Sequence, residues 1–259
     1  MAVYTNFMVG KVLLGIGALI LILVAVVFFS VNFNENKPPP EFTANFVNLD
    51  KIEKISKYRS CAGHVTVPQD GRESKRSMKH YFEVKPEFAK ARAVEIYAPY
   101  EGFVTTLRSD PGEGLEGEIW IVPKRKVAML PPFGVWQFSV QHIEVKKDLK
   151  QGSEVKDGEI IGYAAFSGGR IPTFDIVYGK MAFPPAPKKI DNWNSPFGDL
   201  DSVFNHMSDG VLAQYQQKGV SQKEIVLSKE ARDQNPCVYR ENGPYFENRD
   251  DLANWILLK

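Results

Sequence analysis

Between Lys11 and Glu35 the chain carries no charged residue and no proline, and Val12 to Val31 reads VLLGIGALILILVAVVFFSV. About 20 apolar residues in a helix cross the hydrocarbon core of a bilayer, and a helix pairs its own backbone groups where water is absent. The pattern predicts one membrane-spanning helix over residues 12–34, bounded by Val12 and Phe33, after a short flank of residues 1–11. A cleaved secretory signal and a buried core helix are the two other readings of such a run. A signal's apolar region is shorter, about 7–15 residues, and ends in a small-x-small site. The stretch Phe28 to Phe33 offers no clean one. Gly10, Gly15 and Gly17 form small positions where a second helix could pack.

The texture then changes. Residues 35–44 hold Lys37-Pro38-Pro39-Pro40-Glu41, a short stiff spacer, because prolines keep the chain extended. Phe46, Leu49, Ile52, Ile55 and Tyr58 recur at helical spacing with Lys51, Glu53, Lys54 and Lys57 between them. This predicts an amphipathic helix over Asn45 to Arg59. Residues 61–79 are polar and turn-rich and read as a loop. From residue 80 to 187 short β-branched runs alternate with glycine turns. Strands are predicted at Ala93–Tyr97, Phe103–Leu107 and Glu118–Val122, with a turn at Asp110–Gly114. Trp136 to Val145 alternates almost strictly, the mark of a half-buried strand. The fold class is mainly β, a sandwich or barrel. Residues 188–259 read as a mostly helical extension packing on the β-domain. Leu200, Val203, Phe204, Met207, Val211, Leu212 and Tyr215 form its apolar stripe, and a capping box at Ser221–Glu224 opens a helix running to about Arg232.

Charge is nearly balanced, 32 Lys+Arg against 31 Asp+Glu. That excludes a nucleic-acid footprint, which needs concentrated positive charge. Cys61 and Cys237 are the two cysteines. Outside the cytoplasm such a pair reads as a disulfide, and closing so long a loop is worth about 5 kcal/mol in chain-entropy models. Two unrelated buried thiols are the other reading. Lys11 and the free amine favour an inside N-terminus. The basic residues after the span favour the reverse, but long domains translocate largely regardless of charge. The expectation is therefore a single-pass protein of the cell membrane with its C-terminal domain extracytoplasmic. Cys61-Ala62-Gly63-His64 with His80 offers three metal ligands but no fourth, and it competes with the disulfide for Cys61. His206 lies on the apolar stripe as a solvated or capping residue. The basic Arg59 and Arg76 to Lys79 stretches suit a solvated loop or lipid headgroups near the anchor.

Two segments are distinctive together. The first is Ile96-Tyr97-Ala98-Pro99-Tyr100-Glu101-Gly102-Phe103-Val104; the second runs from Leu149 to Tyr163 and holds Gly152, Gly158 and Gly162 around a short exposed strand. Glycine supplies the positive φ that tight turns need. The pattern AP-x-x-G-x-V followed by G-x-x-V-x-x-G-E-x-I-G resembles the M23 (lysostaphin-like) zinc peptidases and the related biotinyl/lipoyl hybrid-motif domains, over about residues 78–180. A carrier domain holds its cofactor on a lysine between the two halves, and here Met78-Lys79 stands outside them. The M23 resemblance implies zinc bound by a His, an Asp four residues on, and the second His of a late His-x-His. His80 lies near the first position, Glu83 near the second with a register shift, and Ser167-Gly168-Gly169 supplies the turn before the late motif. Thr173 and Asp175 stand where the two histidines would be. Asp175 offers an oxygen ligand, but Thr173 cannot act as the base that a histidine provides. His142 lies near the position of the family's further active-site His, or is simply a surface residue of its strand.

The expectation is a membrane-anchored extracytoplasmic protein with a catalytically degenerate M23-like domain, working as a binding or scaffolding module. Its partners would be the lipid bilayer and an envelope polymer or a membrane protein, with no nucleic acid. A divergent zinc metallopeptidase using His80, Glu83 and Asp175, with His142 assisting, is the second reading. An accessory single-span subunit of a larger membrane complex is the third. No cofactor is expected under the first; zinc is the cofactor under the second.

Overall fold

The computed structural model describes residues 2–35, 37–109, 117–124, 134–165, 172–182, 188–190, 193–239, 243 and 245–259. The expected turns at Asp110–Gly114 and Ser167–Gly169 lie outside them. The chain opens with helix α1 (Ala2–Glu35). Within it Lys11–Phe29 has a mean hydropathy of 3.2 and no buried residue, so it is long and apolar enough to cross a membrane.

Asn45 to Arg59 is not an amphipathic helix. A single 3-10 turn at Leu49–Lys51, capped by the Asn48 side chain, leads into strand β1 (Ile52–Ser56). Phe46, Leu49, Ile52, Ile55 and Tyr58 are all buried as the pattern demanded. The spacing of three arises from a turn followed by a strand whose register shifts between Ile52 and Lys54. A bulge of that kind lets residues three apart share a face.

The remaining strands are β2 (His80–Val84), β3 (Glu95–Tyr97), β4 (Gly102–Ser109), β5 (Gly117–Pro123), β6 (Trp136–Val145), β7 (Glu154–Val155), β8 (Ile160–Ala164) and β9 (Thr173–Met181). They are followed by the hairpin β10 (Lys188–Ile190) and β11 (Trp193–Ser195), then β12 (Phe197–Asp201). The C-terminal part is less helical than its apolar stripe suggested. Among its described residues it holds the short helices α2 (Asp209–Gln217), α3 (Gln222–Ile225) and α4 (Lys229–Gln234), followed by β13 (Trp255–Leu257). The Ser221 hydroxyl does bond Glu224, at 2.6 Å, but the helix it opens stops at Ile225. Ser228 then caps a separate helix through the N–H of Ala231.

The main sheet runs β13-β1-β2-β9-β6-β5-β4-β7, with β8 joining β6 to β3 and β12 flanking β9. Neighbours along this path pair antiparallel, as an alternating-pattern sheet built from hairpins should. Both faces are covered. On one, Phe42, Phe46, Phe82, Phe138, Phe174, Tyr178, Phe204 and Tyr215 build an aromatic core. Phe42 lies edge-on to Tyr100, Phe138 and Tyr178 at 5.2–5.6 Å, a geometry favoured by the ring quadrupole. The chain just after the proline spacer is thus part of the β-domain's own core. On the other face Tyr58, Val65, Met78, Trp120, Val177 and Phe246 surround Cys61. Cys61 and Cys237 are joined by a disulfide, with Cα atoms 5.4 Å apart.

Two hairpin glycines have a strict steric role. A Cβ on Gly102 would meet the Val122 carbonyl oxygen at 2.2 Å, and one on Gly162 the Glu144 oxygen at 2.6 Å. Gly152 and Gly158 carry φ of +88° and +73° in open turns, where side chains are strained.

Candidate functional site

Strand parity decides which of the expected residues meet. In the β2–β9 ladder Tyr81 stands opposite Asp175 and Glu83 opposite Thr173, on one face; His80 stands opposite Ile176 and Phe82 opposite Phe174, on the other. His80 therefore does not reach Asp175. It is buried beside Phe204, and its Nδ1 donates to the Ser56 carbonyl at 2.8 Å. A ring that donates through Nδ1 must accept at Nε2, and Ser202 Oγ supplies that proton at 2.8 Å. Burial holds its pKa down at about 4. The histidine joins β1 to the turn that follows β12. Glu83 is half-buried and paired with Lys54 at 3.1 Å.

Asp175, wholly buried, meets a residue with no role in the sequence-based site: Lys79. The ammonium of Lys79, 5% exposed, lies 2.8 Å from Asp175 Oδ2, 2.6 Å from Gln141 Oε1 and 3.4 Å from His64 Nε2. Three donors thus face three acceptors. Because the ammonium can only donate, His64 accepts through Nε2 and carries its proton on Nδ1, which faces the Val65 carbonyl at 3.1 Å. Burial first, and then the Lys79 charge, lower the His64 pKa to about 3. Burial pushes the Asp175 carboxyl up, yet Lys79 and the nearby His142 and His64 outweigh it and the net shift is downward. The network continues from Gln141 to Glu118, whose pKa burial raises, and the indole N–H of Trp120 donates to Glu118. Asp175 Oδ1 is a buried oxygen with no hydrogen bond among the described residues.

Residues 61–66 roof this cluster. A Cβ on Gly63 would fall 2.1 Å from the Tyr81 hydroxyl oxygen, so the loop backbone lies directly on that ring. The Phe246 N–H bonds the Gly63 carbonyl at 3.2 Å, holding the C-terminal segment against the roof. His142 is exposed and has a left-handed backbone, φ +61°. It is the residue skipped where β5 shifts from Ile143 to Gln141, a bulge at the point where β6 exchanges partner β9 for β8. Thr173, half-buried, lies two residues from Asp175 on the same face. Among the described residues no three His, Cys, Asp or Glu side chains gather around one point.

Cys61 is in the disulfide, so the Cys61–His64 pair is not a metal pair. Arg76 and Lys79 are buried, not presented to lipid headgroups. Arg76 pairs with Glu73 at 3.1 Å and with Asp233, which ties α4 to the loop. His206 pairs with Asp201 at 2.8 Å.

Among solved structures the chain is similar to M23 zinc-peptidase domains. One is a zinc-containing peptidase from Vibrio cholerae, at 18% identity and TM-score 0.36, covering 54% of this chain and 37% of that one. The chain thus spans just over a third of that relative. Another is the mutant catalytic domain of a prophage-encoded M23 protein, EnpA, from Enterococcus faecalis, at 18% identity and TM-score 0.36, covering 62% and 95%. The chain is also similar to a chain of the SpoIIQ–SpoIIIAH pore-forming complex, at 13% identity and TM-score 0.35, covering 70% and 99%. No family model and no curated protein matches the chain.

Proposed function

We propose that this chain is a membrane-tethered, non-hydrolytic module whose β-domain binds or scaffolds on the extracytoplasmic side of a membrane. The observation that carries the reading is the Lys79 ammonium at the centre of the His64, Gln141 and Asp175 acceptors. A catalytic zinc needs three good N, O or S ligands and an open position. Here a positive charge already holds the donors, and a second cation among them would meet strong repulsion in a dry site. Thr173 brings a hydroxyl but no basic nitrogen to take a proton from water. The residues do not suit a zinc ion, and no hydrolytic step runs through one. Support for the tether is the apolar Lys11–Phe29 stretch of α1, none of which is buried. Support for the outer side is the Cys61–Cys237 disulfide, a bond that persists in oxidising compartments.

The test uses the full-length chain purified in mild detergent. Bound metal is measured by mass spectrometry, and cleavage of glycyl-glycine bonds is followed by amine release. The expected result is zinc far below one equivalent and no cleavage. One equivalent of zinc together with cleavage that Asp175→Ala abolishes would overturn the reading. The partner proposed is an envelope polymer. A membrane-protein partner, making the chain an accessory subunit, is the second reading. It is favoured by Gly15 and Gly17, where an added Cβ would meet nothing within 4 Å, and co-purification in the same detergent distinguishes it.

A further inference from the structure

A cleft of about 450 Å³ opens between the segment Asn45–Asp50, Tyr97, the Gly158 turn and the C-terminal half of α2. That volume lies within the roughly 300–1,000 Å³ of small-ligand sites. Its polar groups are mostly side-chain amides, and the protein has already fixed several of them. Asn45 Oδ1 accepts from the Tyr215 hydroxyl at 2.9 Å, and Asn45 Nδ2 donates to Gln214 Oε1 at 3.1 Å. Asn48 Oδ1 accepts from the Asp50 N–H at 3.0 Å. The carbonyl ends are thereby engaged. The NH₂ groups of Asn48 and Gln214, and the whole amide of Gln217, bond no other described residue and are exposed at the cleft. The two charges on the rim, Asp50 and Lys218, pair with each other at 2.5 Å and offer no net charge to a ligand.

The lining thus offers N–H donors from Asn48, Gln214 and Gln217 beside one uncommitted acceptor, the Gln217 carbonyl, a set that hydroxyls, which accept and also donate, can meet. Tyr97 adds an aromatic ring, half-buried, on which the C–H face of a sugar ring can lie. An extended peptide would need a free strand edge to extend the sheet. Strand β3, beside the cleft, has none: β8 pairs it on one side, and on the other Tyr97 N–H bonds the Phe46 carbonyl at 2.9 Å. We propose that this cleft binds a neutral, polyhydroxylated ligand, a short stretch of an uncharged oligosaccharide.

The cleft shares no residue with the Lys79 cluster, so this inference and the non-hydrolytic reading can fail independently. The experiment is calorimetric titration of the full-length chain in a zwitterionic detergent without a sugar headgroup, using chitotetraose, maltotetraose and tetra-alanine as probes. At least one tetrasaccharide should bind with a Kd between about 10 μM and a few mM. Gln217→Ala should weaken it about three- to tenfold. Gln214→Trp, at an exposed position, should fill the cleft and abolish binding, while loss of the Asn45–Gln214 hydrogen bond should lower the melting temperature by no more than a few degrees. No sugar binding up to about 10 mM, binding unaltered in both variants, or binding of tetra-alanine alone would each overturn the proposal.

Discussion

Lys79 and Asp175 lie 96 positions apart in sequence and meet at 2.8 Å, both buried. Removing one partner of a buried pair leaves an uncompensated charge, at a cost of about 3–5 kcal/mol. Lys79→Met should therefore lower unfolding stability by roughly that amount. Replacing both partners, Lys79→Met with Asp175→Leu, should recover most of it. Denaturant titration of the two variants checks this, and equal losses in both would refute the pairing.

Acid should destabilise the domain before its carboxylates protonate. The folded pKa values of His64 and His80 are lowered to about 3 and about 4, while the unfolded chain binds those protons near pH 6.5. Below that pH the unfolded state holds more protons, so stability falls as pH drops. The stabilising contribution is fully present above about pH 6.5 and is lost towards pH 4, at up to about 1.4 kcal/mol per pH unit for each histidine. Unfolding measured from pH 7.5 to pH 4.5 gives the slope. His64→Asn should reduce it by about half, and an unchanged slope would count against this account.

The hairpin glycines separate two kinds of constraint. Gly102→Ala drives a methyl into the Val122 carbonyl and should cost about 1–3 kcal/mol or more. Gly152→Ala meets no atom within 4 Å, and only its left-handed backbone resists it, at about 1–2 kcal/mol. Thermal melts of the two variants should rank Gly102→Ala as the more damaging.

Reduction should matter as much as any core substitution. Cys61 and Cys237 are 176 positions apart, and losing such a bond typically costs about 2–5 kcal/mol. A Cys61→Ser, Cys237→Ser double variant should melt lower than the oxidised protein and no longer respond to dithiothreitol. Wild type should melt lower when that reductant is added.

Much of the sheet was legible. Trp136–Val145 is a strand with the bounds that its alternation gave, because both faces of its ladder are set by burial. Ile52 and Ile55 were buried as read, but the same spacing of three served a bulged strand, and period alone cannot separate that from a helix. The site was missed by one residue. His80 alternates with Phe82 and Val84, an apolar face, whereas Lys79 alternates with Tyr81 and Glu83. That parity is the signal the sequence carries for the site. The meeting of Lys79 with Gln141 and His64 had no local signal, since it depends on long-range register and on the fold of residues 61–66.

Phe42 is wholly buried in the aromatic core, while α1 ends at Glu35. Between them the sequence has residues 36–41, and an extended chain gains at most about 3.3–3.6 Å per residue. For a domain held by that helix the leash is about 20 Å long. A domain on so short a tether would stay directly over whatever surface holds the helix.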